Sequence, residues 1–254
     1  MKGRLFLVPT PLDHGCAEQT PLDDVLPLGT IKKAAAIACW ISENAKSTRA
    51  FLKRVDAVAP LAQPIQAQQI TELPREVHKK GDHAGAARFD ARPLLAPALQ
   101  GQDVGLISEA GMPAVADPGS SVVRAAHQLG IEVLPLTGPV SLLLALAASG
   151  LNGQNFAFTG YLPQDAIART TQIQQISRAV QQSGQTRIVI ETPYRNQVLL
   201  EALLSGLDGQ LRLCVASGLT LPDADGARSA SVAEWRQARW PVTPKAPAVF
   251  LIGR

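Results

Sequence analysis

The sequence alternates between short apolar runs and longer stretches of helical periodicity, and no other feature constrains the fold as strongly. Most of the short runs are rich in Val, Ile, Leu or Phe and end near Gly, Pro or Asp, as buried strands do. They predict strands at 5–8, 35–40, 104–108, 131–136, 156–159, 187–191, 211–216 and 248–252. Because helical patterns separate most of these runs, the sequence predicts an α/β fold, with a mostly parallel sheet formed by the strands before residue 139.

The helical patterns and a break near residue 139 predict two domains. Helices are expected at 44–55, 122–129, 141–149, 169–182 and 196–204, whereas the Gln- and Pro-rich stretch 60–75 has no clear assignment. A chain of 254 residues with 46% apolar side chains can form two hydrophobic cores. We therefore expect one α/β domain at 1–138 and a second at 139–254.

Composition excludes several classes of protein. The three cysteines, Cys16, Cys39 and Cys214, are odd in number and far apart, which predicts neither a disulfide framework nor a metal site. The apolar run 140–148 is much shorter than the roughly 20 residues of a membrane span, and the N-terminal residues lack a signal-peptide pattern. We expect a soluble, cytoplasmic protein, and its net charge of +3 permits an RNA substrate without arguing for one.

The segment 106–119, LISEAGMPAVADPG, is the most informative candidate site. It follows a predicted strand, and open parallel sheets bind ligands beyond the carboxyl ends of their strands. Its glycines allow close approach of a ligand to the backbone, and Glu109 and Asp117 could bind polar groups of that ligand. Asp117 could equally cap the following helix, with Pro118 at the first helical position. Both interpretations remain open from the sequence.

Other motifs narrow the chemistry. The chain has no GxGxxG after its first strand, no GxxxxGK[ST] and no GxSxG, which disfavours dinucleotide binding of the standard kind, nucleotide hydrolysis and acyl transfer. The run ETPYR at 191–195 ends a predicted strand. It could form the wall of a ligand cleft, or an ordinary turn capped by Thr192 or Asn196.

Four segments taken together resemble one known family. They are LISEAGMPAVADPG at 106–119, PLTGPVSLLLALAASGL at 135–151, FAFTGYLP at 156–163 and ETPYR at 191–195. In this order and spacing they resemble the tetrapyrrole (corrin/porphyrin) methylase superfamily, within it the branch that 2′-O-methylates a cytidine of small-subunit ribosomal RNA. The resemblance covers essentially the whole chain.

The resemblance implies a class III methyltransferase: a homodimer of chains with two α/β domains each, and with S-adenosylmethionine in the cleft between the domains. It places the cofactor against residues of both domains. The implied contacts are Pro11, Ala110, Gly111, Pro113, Val115, Ala116, Val140, Ser141, Tyr161, Leu162, Tyr194, Leu219, Pro247 and Ala248. Pro11 matches a Thr-Pro turn that lines the acceptor side of the cleft, and 42–52 matches an acidic and basic segment near the acceptor.

The chain departs from the RNA-methylating branch at several positions on the acceptor side. Asn44 and Lys46 stand where that branch usually has Asp and Arg, and Leu-Asp-His at 12–14 stands where it has Ile-Gly-Asn. The stretch 216–221 lacks the Arg, Glu and Lys of the corresponding segment. We also expect the chain to lack the small C-terminal extension that these RNA enzymes often carry.

Methyl transfer from a sulfonium requires alignment of the acceptor and, for a ribose hydroxyl, a base or a cation near the developing alkoxide. The candidates for these catalytic roles are Glu43, Lys46, Glu109 and Asp117. Three hypotheses remain. The first is an RNA ribose methyltransferase with a basic surface at Lys46, Arg49, Lys53 and Arg54 and with ribosomal RNA or the small ribosomal subunit as its partner. The second is a small-molecule methylase of the tetrapyrrole type, and the third is a non-catalytic module that binds the cofactor and RNA.

Overall fold

The computed structural model describes residues 1–13, 15–16, 18–74, 89–222, 226–240 and 247–254. By their contacts, these residues divide into two compact units. The N-terminal unit comprises Met1–His14 and Thr20–Val140, and the C-terminal unit comprises Gly15–Gln19 and Ser141–Arg254. Within the described ranges, no helix is long and apolar enough to cross a membrane.

The N-terminal unit is built on a sheet of five parallel strands in the order β3-β2-β4-β1-β5. Its strands are β1 (Leu5–Val8), β2 (Cys39–Ser42), β3 (Gln69–Glu72), β4 (Val104–Ile107) and β5 (Val133–Pro135). Its helices are α1 (Leu22–Val25), α2 (Leu28–Ala36), α3 (Ala45–Val58), α4 (Ala96–Leu99) and α5 (Ser120–Gln128), with 3-10 turns at Ile65–Ala67 and Arg92–Leu95. The predicted parallel sheet is confirmed, so all five carboxyl ends lie along one edge.

Apolar residues fill both faces of this sheet. Phe6 and Trp40 belong to a core shared with α2 and α3, whereas Leu5 and Leu106 belong to a core shared with α5. The side chains of adjacent strand residues point to opposite faces, which explains this division. Gly105 is required beside Trp40, because a Cβ at this position would lie 2.6 Å from the indole ring.

The predicted strand at 35–40 is wrong over its first half. α2 continues to Ala36, and β2 begins only at Cys39. Ile31, Ala34 and Ala35 are buried along one side of α2, and alanine has the highest helix propensity. The alanine run therefore extends the helix, and the short strand starts after it.

The C-terminal unit contains a mixed sheet in the order β6-β7-β10-β8-β9. Its strands are β6 (Phe156–Gly160), β7 (Thr186–Glu191), β8 (Arg212–Ser217), β9 (Gly226–Ser231) and β10 (Ala248–Gly253). Its helices are α6 (Ser141–Ser149), α7 (Ala166–Ser183), α8 (Asn196–Gly206) and α9 (Val232–Ala238), with a 3-10 turn at Pro193–Arg195. β6 is parallel to β7, and β10 is antiparallel to both β7 and β8. The carboxyl ends of β6, β7 and β8 therefore meet the amino end of β10 at one edge.

Helices cover the two faces of this second sheet differently. Val189, Phe250 and Ile252 pack with residues of α7, α8 and α9 in a single core. The alternate residues Ile188 and Leu251 lie on the opposite face, where α6 packs against β8, β9 and β10. β6 is an edge strand of this sheet.

Candidate functional site

Two loops at the carboxyl edge of the N-terminal sheet are joined by main-chain hydrogen bonds. The amide of Thr10, after β1, donates to the carbonyl of Gly111 at 2.9 Å, and the Gly111 amide donates back at 3.1 Å. The Thr10 hydroxyl donates to the carbonyl of Ser108 at 3.3 Å. These bonds hold the Thr-Pro turn with Pro11 against the loop that follows β4.

The loop after β4 is held in an unusual backbone conformation. Gly111 and Gly119 have φ values of 75° and 135°, and Ala114 and Ala116 both have φ of 65°. Two alanines in the left-handed region store backbone strain of the kind that clusters at functional sites. The proposed capping role of Asp117 is wrong, because α5 begins at Ser120 with Gly119 as its N-cap and no side-chain cap.

Three carboxyl groups, those of Glu43, Glu109 and Asp117, lie at this edge of the sheet. The amide of Glu109 donates to Oε2 of Glu43 at 3.1 Å, which joins the ends of β2 and β4. Burial, together with the negative charges of Glu43 and Glu109, raises the pKa of Asp117 to about 7. Asp117 can therefore take up or release a proton near neutral pH. No group of three or more His, Cys, Asp or Glu in the described part of the chain is arranged to hold a metal ion.

The first turn of α3 explains the departure at Asn44. The Asn44 side chain accepts hydrogen bonds from the amides of Lys46 and Ser47, as an N-cap does. Oε1 of Glu72 accepts from the amide of Ala45 at 2.7 Å. An aspartate at position 44 could cap the helix equally well, so asparagine preserves this structural role. Lys46 is exposed on the same turn.

Arg54 does not belong to the predicted basic surface. Its guanidinium forms two hydrogen bonds of 3.0 and 2.9 Å with the buried carboxylate of Asp13, and a third bond with the carbonyl of Thr20. Asp13 and Arg54 are far apart in sequence, so no local pattern indicates that they form an ion pair. For this reason the sequence analysis wrongly included Arg54 in the basic surface. Lys46, Arg49 and Lys53 are exposed as expected. His14, part of the departure at 12–14, lies outside the described residues.

The carboxyl edge of the C-terminal sheet gathers the remaining predicted residues. Tyr161 follows β6, Tyr194 follows β7, Leu219 follows β8 and Ala248 begins β10. Ala248 is paired with Glu191 on one side and with Ser217 on the other. Segments distant in sequence are thus brought to one edge of one unit.

The turn after β7 is fixed by its own acid. Glu191 is buried, and its carboxylate accepts from the amide of Thr192 at 2.8 Å and pairs with Arg195 at 3.1 Å. Neither proposed cap is used, since α8 begins at Asn196 with Arg195 as its N-cap and no side-chain cap bond. The Glu191 carboxylate therefore finds its partners within the turn. Tyr194, which is 78% exposed, is the residue that the turn presents to solvent.

Exposure separates the predicted cofactor residues into three groups. The buried ones are Pro11, Gly111, Pro113, Leu162 and Ala248. Those of intermediate exposure are Ala110, Val140, Ser141 and Leu219. The exposed ones are Val115, Ala116, Tyr161, Tyr194 and Pro247. Leu162 lies in the core of the C-terminal unit, so its side chain contributes to stability. This contribution is independent of any contact that the Leu162 main chain makes.

Two strand-end serines were not predicted as site residues. Ser108 follows β4 and Ser217 ends β8, and both are buried. Neither hydroxyl has a hydrogen-bond partner among the described residues. Buried polar groups are rarely left unpaired, and one that is points to a missing partner such as a ligand. Neutral hydroxyls of this kind can form hydrogen bonds with the base and the ribose of a nucleoside.

Comparison with known proteins agrees with this geometry. The family model for tetrapyrrole (corrin/porphyrin) methylases matches residues 28–229. A ribosomal RNA small subunit methyltransferase I from Pseudomonas aeruginosa is 34% identical over 224 residues, which are 86% of this chain and 67% of that protein. The protein of the same name from Mesorhizobium japonicum is 40% identical over 132 residues, 52% of this chain and 44% of that protein. The chain thus spans between about two fifths and two thirds of the length of these relatives.

Solved structures show the same fold at low sequence identity. The uroporphyrin-III C-methyltransferase of Thermus thermophilus, in its complex with S-adenosylhomocysteine, superposes with a TM-score of 0.54 at 18% identity and covers 99% of this chain and 98% of that one. The methyltransferase CobJ gives a TM-score of 0.56 at 16% identity, with 99% and 94% covered.

The fold is that of a class III methyltransferase of two α/β units, as predicted. The chain belongs to the family of tetrapyrrole (corrin/porphyrin) methylases, whose model matches well over half of its length. Its class is therefore S-adenosylmethionine-dependent methyltransferase, with S-adenosylmethionine as the cofactor.

Proposed function

We propose that this protein methylates a ribose 2′-oxygen in the RNA of the small ribosomal subunit, and that it does so in the cytoplasm. Its curated relatives in several bacteria are named for methylation of small-subunit ribosomal RNA. The observation that carries the finer claim is Asp117, a carboxyl with a pKa of about 7 in a strained loop at the carboxyl edge of the N-terminal sheet. A ribose hydroxyl needs such a base, whereas a tetrapyrrole carbon is itself the nucleophile.

When bound, the cofactor would supply an electrophilic methyl group and a neutral thioether as the leaving group. Asp117 accepts the proton of the ribose hydroxyl as its oxygen bonds to the methyl carbon. Burial raises the pKa of Asp117, the charges of Glu43 and Glu109 add to this effect, and the hydrogen bond from the Glu109 amide to Glu43 holds these two residues together. Lys46, exposed at the start of α3, contacts the RNA rather than the reacting atoms.

We propose one set of cofactor contacts on each of the two units. On the N-terminal unit, the loop after β4 and the segment after β5 form one set of contacts. These are Pro11, Ala110, Gly111, Pro113, Val115, Ala116 and Val140. On the C-terminal unit, Ser141 and the strand-end residues form the other set. These are Tyr161, Leu162, Tyr194, Leu219, Pro247 and Ala248.

Methyl transfer to purified small ribosomal subunits tests the proposal. We expect tritium from labelled S-adenosylmethionine to enter the RNA of subunits that lack the modification. A 2′-O-methyl group removes the hydroxyl that attacks the phosphodiester in alkali, so the labelled linkage should survive alkaline hydrolysis. Label in an added tetrapyrrole but not in RNA would favour the small-molecule methylase. Cofactor binding without transfer to any acceptor would favour the non-catalytic module.

An exposed basic stripe on α3 supports an RNA substrate. Lys46, Arg49 and Lys53 follow one another at intervals of three and four residues, so they lie on one side of the helix. All three are exposed, and the described residues offer them no carboxylate partner within ion-pair distance. Cations left available in this way bind phosphates and release counterions.

Replacing Lys46, Arg49 and Lys53 together by glutamine is expected to weaken RNA binding on the order of 10–100-fold at moderate salt. The slope of log affinity against log salt should fall by about 2–3, one phosphate contact for each cation lost. Filter binding or fluorescence anisotropy across a salt series measures both quantities. The matched control replaces Lys2, Lys32 and Arg92 by glutamine. This variant loses the same total charge from other parts of the unit. Equal losses in the two triple variants would contradict a specific role for the stripe.

We also propose that the chain forms a homodimer through the α6 side of its C-terminal unit. Leu143 and Leu144 are exposed on α6, and Phe156 and Phe158 are exposed on the edge strand β6. Phe158 pairs with Ile188, so the phenylalanines lie on the sheet face that α6 covers. Exposed apolar groups concentrated on one side are typical of an interface between proteins.

A charged residue in this surface should prevent dimer formation. The double variant Leu143→Glu, Phe158→Glu is expected to elute and sediment as a monomer, since burial of two unpaired carboxylates is strongly unfavourable. Sedimentation velocity of the wild type and the variant gives the mass directly. Ile167→Glu is the control, because Ile167 is 79% exposed on α7, which covers the other face of the sheet. A monomeric wild type would refute the dimer.

A further inference from the structure

A buried ion pair ties both ends of the stretch 13–20 to helix α3. The side chain of Asp13 is only 4% exposed, and its Oδ2 accepts a hydrogen bond from the amide of Thr20 at 3.2 Å. The Arg54 guanidinium donates to both carboxylate oxygens of Asp13, at 3.0 and 2.9 Å, and to the carbonyl of Thr20. One side chain of α3 therefore contacts two residues that are seven positions apart in the sequence.

The geometry of this ion pair depends on arginine. A buried carboxylate is strongly destabilising unless it is paired and hydrogen-bonded, so Asp13 requires its partner. The planar guanidinium matches both carboxylate oxygens and keeps a further N–H for the carbonyl of Thr20, which the point charge of a lysine cannot do in the same way. By resemblance, the RNA-methylating branch has glycine at position 13, which cannot form an ion pair. The interaction is therefore one of the features in which this chain departs from that branch.

The ion pair mainly fixes the Asp13 end of the stretch. The Thr20 end is followed at once by α1, whose Leu22 and Leu26 lie in the same hydrophobic core as Leu52 of α3. That end is held by packing as well as by Arg54. Asp13 has no such apolar anchor, so the guanidinium is what holds its side chain to α3.

Two parts of the proposed site are connected in this way. Asp13 follows the Thr-Pro turn, whose Thr10 exchanges two main-chain hydrogen bonds with Gly111 in the loop after β4. By resemblance, this turn lines the acceptor side. α3 carries the exposed basic stripe, and Arg54 is directed away from the stripe toward Asp13. The ion pair therefore joins the acceptor turn to the helix that we expect to bind the RNA.

We propose that Arg54 is a positioning residue for the methyl acceptor, which acts through Asp13 to fix the Thr-Pro turn relative to α3. This assignment rests on the proposed function. Arg54 contacts neither the RNA phosphates nor the reacting atoms. The rate of methyl transfer at saturating RNA should therefore depend on Arg54, whereas the affinity for RNA should not.

Two variants break the ion pair in different ways. Arg54→Lys keeps the charge and loses the fork, and Asp13→Asn keeps the shape of the side chain and loses its charge. Each should lower kcat about 10–100-fold, as the displacement of a positioning group does. RNA affinity and its salt slope should stay at the wild-type values, because no phosphate-binding cation is lost. The double variant should be no slower than the slower single variant, since both changes break one interaction.

Arg4→Lys is the matched control. Arg4 also forms two hydrogen bonds with an aspartate, Asp103, in the same unit but at the opposite edge of the sheet. The exchange of residue types is identical, and we expect wild-type kcat. Single-turnover rates and fluorescence anisotropy across a salt series measure all four variants.

Labelling of Cys16 by a thiol reagent reports the ion pair without any substrate. Cys16 lies between Asp13 and Thr20 and is partly exposed, whereas Cys39 and Cys214 are buried. Local opening of a segment gives a reagent access to it. Labelling should therefore be several-fold faster in Arg54→Lys and Asp13→Asn than in the wild type, and unchanged in Arg4→Lys.

The outcomes separate positioning from other roles. Wild-type kcat in both single variants would overturn the proposal, and a lower melting temperature with that kcat would identify a purely structural ion pair. Weaker RNA binding with a smaller salt slope and full kcat would also overturn it, because Arg54 would then be a phosphate contact. These outcomes leave the proposed function intact. A wild type that transfers no methyl group to RNA would overturn the proposed function and, with it, this role of Arg54.

Discussion

Replacing Asp117 by asparagine is expected to lower the rate of methyl transfer to RNA about 10²–10⁴-fold, the usual contribution of a general base. Asparagine has nearly the same shape but cannot accept the proton of the ribose hydroxyl. Affinity for S-adenosylhomocysteine should change little, because binding of this thioether product involves no proton transfer to Asp117. Single-turnover rates with saturating cofactor measure the effect. Asp103→Asn is the control, because Asp103 pairs with Arg4 at the opposite edge of the sheet.

The pH profile gives the same residue a second signature. The base acts when deprotonated, so the wild-type rate should rise about tenfold per pH unit below pH 7 and level off above it. This limb should be missing from the residual activity of Asp117→Asn. Glu43→Gln removes one of the charges that raise the pKa of Asp117, so the limb should move to lower pH. A limb that persists unchanged in Asp117→Asn would assign the base elsewhere.

Stability against pH should report the same titration without any substrate. The pKa of Asp117 is raised on folding, so the stability linked to it is fully present below the unfolded value near 4 and is lost as pH rises through about 7. Relative to the wild type, Asp117→Asn should therefore gain unfolding free energy between pH 4 and pH 7, with no further gain above about pH 8. Urea unfolding at several pH values measures the difference.

Replacing Gly138 by alanine is expected to destabilise the protein by about 1–3 kcal/mol, as overpacking does. The new Cβ would lie 2.3 Å from Cγ of Pro9 and 3.0 Å from a methyl of Leu26. The proline ring is rigid, so the turn that carries Thr10 and Pro11 must shift. Displacement of a positioning loop by about 1 Å can reduce a rate on the order of 10²-fold. Thermal unfolding and transfer assays should both detect the change, with a melting temperature lower by about 2–12 °C.

Gly29→Ala provides the contrast. Gly29 lies in α2, and an added Cβ would meet no atom within 4 Å. Alanine in a helix is more favourable than glycine by about 0.5–1 kcal/mol, so this variant should be slightly more stable and fully active. If Gly138→Ala behaved like Gly29→Ala, the contact between the two segments would have no bearing on the site.

Local patterns predicted most strands because the signal and its cause lie in the same few residues. β1, β4, β7 and β10 are apolar runs buried in the middle of their sheets, and all four were expected. β3 and β9 were missed. Their sequences, QITE and GARSAS, have no apolar run, since edge strands are held by pairing on one side and need little burial.

Side-chain interactions between distant segments were beyond local reasoning. The ion pair of Asp13 with Arg54 and the bond between Glu109 and Glu43 depend on the sheet that brings their elements together. By contrast, the missed helix α9 has a readable start, because Ser231 and Glu234 form a capping box. The resemblance to a family implied that the loop after β4 contacts the cofactor, but only the structure distinguished Asp117 from the neighbouring acids.

Calorimetric titration of the purified protein with S-adenosylhomocysteine is the most direct test of the central claim. We expect micromolar binding at one site per chain, since the product shares nearly all contacts of the cofactor. Binding should also raise the melting temperature with increasing ligand concentration. An absence of binding heat together with an unchanged melting temperature at millimolar ligand would contradict the claim that this chain is a methyltransferase.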